Sequence, residues 1–128
     1  MKGLLIRSPF IDWILSGRKV WEIRGSRTTN LGRIALIESG SGTVVGTCEL
    51  TDVLGPLSVS DLKRNSKKLG TTAREIGSRK PYPNTYAWVL SNARRLRTPI
   101  PYRHPPGAVK WVRLPDAVER KINAESAR

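Results

Sequence analysis

A chain of 128 residues, 38% hydrophobic and 26% charged, builds one core and has no room for a second full-sized domain. Its single cysteine, Cys48, excludes an intrachain disulfide and suits a reducing, cytoplasmic setting, and no apolar run approaches the roughly 20 residues of a membrane span. The 23 Lys plus Arg against 10 Asp plus Glu leave a formal net charge of +13, which concentrates polyanions at the surface and points to nucleic acid ahead of anionic membrane.

Gly3 to Arg7 reads as a short buried strand. Ser8 is placed to cap a helix that opens on Pro9, where a missing N–H is harmless, and Gly17 ends it. Phe10, Trp13, Ile14 and Leu15 supply the apolar stripe of that helix, with Asp12 and Ser16 outward. Val20 to Arg24 alternates as a half-buried strand does, Trp21 and Ile23 on one face and Val20, Glu22 and Arg24 on the other. Arg33 to Glu38 and Thr43 to Val53 are joined through Ser39, Gly40, Ser41 and Gly42 as a hairpin. From Ser60 to Lys80 the chain turns polar and basic, opening on a short helix capped by Ser60. Asn84 to Leu90 and Ala108 to Leu114 are the last two strands, and the tail from Asp116 is expected to be a loose terminal helix that buries little. Residues 1–115 are thus one domain and 116–128 a tail, with a monomer expected.

Two basic runs frame the later part of the chain. The first carries Lys63, Arg64, Lys67, Lys68, Arg74, Arg79 and Lys80, the second Arg94, Arg95, Arg97, Arg103, Lys110 and Arg113. They are expected to converge as walls of one groove.

The chemistry concentrates between Gly17 and Arg24, where a tight helix-to-strand turn carries two cations, Arg18 and Lys19, ahead of Glu22 and Arg24. The segment resembles the ASCH domain signature Gly-x-Lys-x-x-Glu-x-Arg, matched by Gly17, Lys19, Glu22 and Arg24. Gly46 to Leu50, Tyr86-Ala87-Trp88 and the closing Pro105-Pro106-Gly107-Ala108-Val109 with Trp111 extend the resemblance. It implies an α+β fold, a PUA-like small β-barrel with flanking short helices. It also implies binding of RNA or DNA, or hydrolysis: ribonuclease action, or removal of the acyl group from acetylated cytidine.

Lys19 suits a phosphate contact, or a base or nucleophile once desolvated. Glu22 and Arg24 share a strand face and can pair, which makes Glu22 an orienting carboxylate rather than a general acid. In the acetylcytidine-hydrolysing relatives a threonine stands near this place. Their second catalytic carboxylate has no clear counterpart, Glu75 being the nearest. Lys19, Glu22 and Tyr86 are the candidate catalytic residues. Arg7, Ser8, Arg18, Lys19, Arg24, Lys67, Lys68, Tyr86, Arg94 and Arg95 are the candidate nucleic-acid contacts, Tyr86 as a stacking platform. Trp13, Trp21 and Trp111 are expected in the core. His104 is the sole histidine, which disfavours a Ser-His-Asp triad, and with Cys48 the sole cysteine no zinc cluster is expected. No nucleotide-cofactor fingerprint is present, and neither a metal nor a cofactor is expected.

Overall fold

The computed structural model describes residues 1–126. Its elements run β1 (Lys2–Ile6), α1 (Phe10–Leu15), β2 (Trp21–Arg24), β3 (Gly32–Glu38), β4 (Thr43–Leu54), α2 (Val59–Arg64), a 3₁₀ turn (Ser66–Leu69), α3 (Ala73–Ile76), β5 (Tyr86–Pro101), β6 (Trp111–Arg113) and α4 (Asp116–Ser126). The strands form one six-stranded sheet in the order β2-β5-β4-β3-β1-β6. Only β1 and β3 run parallel; every other pairing is antiparallel. The sheet curls into a half-barrel, so the expected α+β architecture holds, with the ring left open between its two edge strands.

Side chains bridge that opening in place of a backbone ladder. Arg24 at the end of β2 donates from Nη2 to the carbonyl of Leu5 at 2.9 Å, and Lys110 Nζ reaches Ser26 Oγ at 3.0 Å. Beneath them Trp88, fully buried, donates from Nε1 to the Ser26 carbonyl and stacks on Trp111 with ring centroids 5.7 Å apart.

The strands' inward residues fill the curl. Leu4, Ile6, Ile34, Leu36, Leu50 and Trp88 meet Ile11 and Ile14 of α1 in the largest cluster. A second cluster lies on the other side of the sheet, where Ala35, Ile37, Val44 and Ile100 pack against Val118 and Ile122 of α4. The tail is therefore not loose: Ile122 is fully buried, and the aliphatic spacing of Val118 and Ile122 is the i, i+4 stripe of a docked helix. A third, smaller cluster joins Trp21 and Ala87 to Leu62 and Leu69.

Both expected helix caps fall elsewhere. The first turn of α1 is closed by the backbone, Ile11 N–H to the Arg7 carbonyl at 3.1 Å, and no side chain caps it, so Ser8 is left exposed. Helix α2 is capped by Ser58, whose hydroxyl accepts from the Asp61 N–H while the Asp61 carboxylate accepts from the Ser58 N–H; that reciprocal pair outcompetes Ser60. The strand expected to end at Leu90 continues to Pro101, because its later half pairs with β4 as far as Thr43. No described helix is long and apolar enough to cross a membrane.

Candidate functional site

Helix α1 stops at Gly17, whose φ of +83° suits glycine, and the chain doubles back so that the Lys19 N–H donates to the Trp13 carbonyl at 3.0 Å. Val20 N–H then donates to the Lys68 carbonyl at 2.8 Å, which ties this turn to the 3₁₀ segment. Because β2 begins only at Trp21, Lys19 lies in the turn and escapes the strand's alternation. Its side chain can then enter the same space as those of Glu22 and Arg24.

That space is a cavity of about 650 Å³. Leu5, Ile6 and Arg7 of the β1 end form one side, Phe10 and Trp13 of α1 another, and Lys19, Glu22, Ile23 and Arg24 the floor. The segment from α2 to β5 closes it with Leu62, Leu69, Thr71, Glu75, Ile76, Arg79, Pro81 and Tyr82, and Val109 overhangs the mouth. Tyr82 can lie there because Gly25 has no side chain: a Cβ at Gly25 would stand 2.8 Å from the Tyr82 ring.

The floor is charged and largely buried. Arg24 donates to Glu22 Oε2 from Nε at 3.0 Å and from Nη2 at 2.8 Å, with side-chain exposures of 15% for Arg24 and 10% for Glu22. Both bonds fall on Oε2, so Oε1 keeps its acceptor capacity. The Arg24 guanidinium also sits 5.4 Å over the Trp88 ring. Lys19 is 6% exposed, and its Nζ finds no hydrogen-bond partner among the described residues; the Phe10 ring lies 5.8 Å away. Burial lowers its pKa from 10.5, Glu22 acts against that shift and Arg24 adds to it. On the wall, the Glu75 carboxylate accepts from Thr71 Oγ1 at 2.8 Å. Cys48 is no rival nucleophile, since burial pushes its thiol up to about 12.

The expected site residues divide in two. Arg7, Lys19, Glu22 and Arg24 are brought together around the cavity, and Glu75 joins them. Arg18 is beside it but engaged, its Nε on the Gly70 carbonyl at 2.9 Å and its guanidinium 3.8 Å over the Trp13 ring. Ser8 is exposed and does not line the cavity. Neither does Tyr86, whose ring lies under the Arg27 guanidinium at 5.5 Å. Lys67 and Lys68 are exposed on the 3₁₀ turn, with Lys68 Nζ 5.0 Å over Trp21.

Arg94 lines a separate polar hollow with Arg33, Glu49 and Asn123, and Arg95 pairs with Asp12 at 3.0 Å. The two basic runs thus do not wall one groove: the first contributes only Arg79 to the cavity, the second no Arg or Lys, because β5 carries its arginines along β4 and away. Of the expected core tryptophans Trp21 is buried, Trp111 is half-buried against Trp88, and Trp13 is a half-buried cavity wall. Thr71 and Tyr82 carried no sequence signal of a site and Arg79 only its place in the first basic run, since only the fold brings that segment to the turn at Lys19.

The ASCH domain family model matches residues 4–100 of this chain. Among solved structures, the crystal structure of ASCH from Zymomonas mobilis superposes with a TM-score of 0.72 at 18% identity, covering 96% of this chain and 93% of that one. A tyrosine-to-phenylalanine mutant of the Zymomonas mobilis protein gives 0.68 at 20% identity, covering 96% of both chains, and a serine-to-alanine mutant gives 0.67 at 20% identity, covering 96% and 94%. A search of curated proteins returned no similar sequence.

Proposed function

This chain belongs to the ASCH domain family, and from that premise we propose that it binds nucleic acid, RNA foremost, with a nucleotide unit entering the cavity above Lys19, Glu22 and Arg24. The observation that carries the reading is the composition of the cavity wall. Aromatic faces from Phe10, Trp13 and Tyr82 surround a floor of buried charge, and the guanidinium groups of Arg7 and Arg79 line the same space. Aromatic planes suit stacked bases and cations suit phosphate. The net charge of +13 supplies the attraction that brings a polyanion to that mouth.

The test is a titration of labelled RNA and of duplex DNA at two salt concentrations. Each phosphate neutralised adds roughly 0.7 to the log-log salt slope on a single strand and roughly 0.9 on a duplex. Lys67→Ala should weaken binding to every sequence alike and lower the slope by about one, whereas Lys19→Met should change which ligand is preferred. Binding unaffected by salt, or missing for both polymers at low salt, overturns the proposal.

A second reading, a hydrolase in the same cavity, draws support from Glu75. It supplies a carboxylate across from an amine held toward its neutral form, the pairing a proton-transfer reaction needs. Acetylcytidine turnover is not expected, because Glu22 is tied to Arg24 and no hydroxyl nucleophile stands in its place.

A further inference from the structure

The amine of Lys19 has no structural task in this fold. The residue is 6% exposed, its Nζ receives no hydrogen-bond partner among the described residues and, since none of their fully buried side-chain nitrogens lacks one, opens on the cavity, while the carboxylate of its own motif, Glu22, is turned to Arg24. Its stem is buried while its head faces the cavity, where an incoming group can meet it. Burial shifts it toward the neutral form, in which a lysine nitrogen has a free lone pair, and carbonyl carbon is an electrophile such an amine attacks. The cavity above also holds two guanidinium groups, Arg7 and Arg79, with no ion-pair partner among the described residues, so an anionic group has somewhere to bind.

We infer that Lys19 is a nucleophilic amine that condenses with an aldehyde bearing a phosphate, holding it as an imine on the cavity floor while Arg7 and Arg79 take the phosphate. The inference rests on the cavity being the ligand site and adds covalent chemistry to it. The Nζ lone pair forms the N–C bond as the carbonyl π pair moves to oxygen, giving a carbinolamine. The C–O bond then breaks, and both amine protons leave with that oxygen as water. Glu75 lines the cavity and can relay a proton to the departing hydroxyl. Nothing is oxidised or reduced. Two sources carry this chemistry: a free sugar phosphate, and the ring-opened sugar of an abasic site in a nucleic-acid strand.

The experiment is borohydride trapping on the full chain, which reduces an imine to a stable secondary amine that peptide mass spectrometry can place. One arm uses glyceraldehyde 3-phosphate, one uncharged glyceraldehyde, one a single-stranded oligonucleotide with one abasic site. The expected result is a single adduct on Lys19 with a phosphate-bearing aldehyde, and the more productive arm identifies the source. Lys19→Met should lose the adduct, and Lys19→Arg, which keeps the charge, should lose it too; Lys67→Ala should retain it. Arg79→Ala should lower the yield with glyceraldehyde 3-phosphate about threefold and leave glyceraldehyde unchanged. Adducts scattered over exposed lysines, or a yield that survives both Lys19 substitutions, overturn the inference. A chain that fails to bind RNA yet gives the Lys19 adduct with glyceraldehyde 3-phosphate refutes the nucleic-acid reading and supports this one.

Discussion

Burial of Lys19 makes the stability of the chain sensitive to alkali. Below its lowered folded pKa the amine is protonated in folded and unfolded states alike, and the fold carries the cost of the buried charge. Between that lowered value and 10.5 the unfolded chain holds a proton that the folded chain has released, so stability rises with pH across the window and levels off above it. Urea unfolding of the wild type and Lys19→Met across this range should show the wild type gaining on the variant as pH increases; parallel curves would show that the amine titrates normally. The motif itself was legible because Gly17, Lys19, Glu22 and Arg24 form a local turn and strand, where spacing alone sets direction. Tyr82 was not, and Glu75 and Arg79 were named without a place in the site, since all three arrive from a later segment whose position depends on Leu62 and Leu69 packing against Trp21.

That later segment is the most informative element. Helix α2 has six residues, too few to hold together by propensity, and it persists because Leu62 is fully buried and Ser58 closes a capping box with Asp61. Ser58→Ala should cost about 1 kcal/mol in urea unfolding, while Ser60→Ala should cost much less, since its hydroxyl only receives an Arg64 N–H at the surface. A larger loss at Ser60 than at Ser58 would place the cap where the sequence had suggested it. The cap was misplaced by two residues because two serines flank Val59, and only the Asp61 carboxylate returning to the Ser58 N–H decides between them. The same difficulty explains β5: Arg94, Arg95 and Arg97 hide a strand whose outward face is charged, and pairing with β4 overrides that polar pattern.

At the scale of the molecule, charge and curvature meet along the opening of the half-barrel. Arg24 is at once the partner of Glu22 and the bolt to Leu5, and the ion pair is largely buried, so Arg24→Ala should cost about 3–5 kcal/mol by stranding a buried carboxylate. Lys110→Ala, which removes the other bridge, is expected to cost less than about 1 kcal/mol, and chemical denaturation of the two variants measures the contrast. Similar small losses would mean that Glu22 is better solvated than its burial indicates. Strand β2 is therefore fastened unevenly: a full ladder to β5 along one side, and isolated side-chain bonds along the other. On that side Arg24 is the bolt from β2 back to β1. A closed ring would have to give up a backbone ladder to part at its seam, whereas here side-chain hydrogen bonds alone cross the gap, and the Val20–Lys68 bond and the packing of Trp21 on Leu62 and Leu69 keep β2 seated beside it.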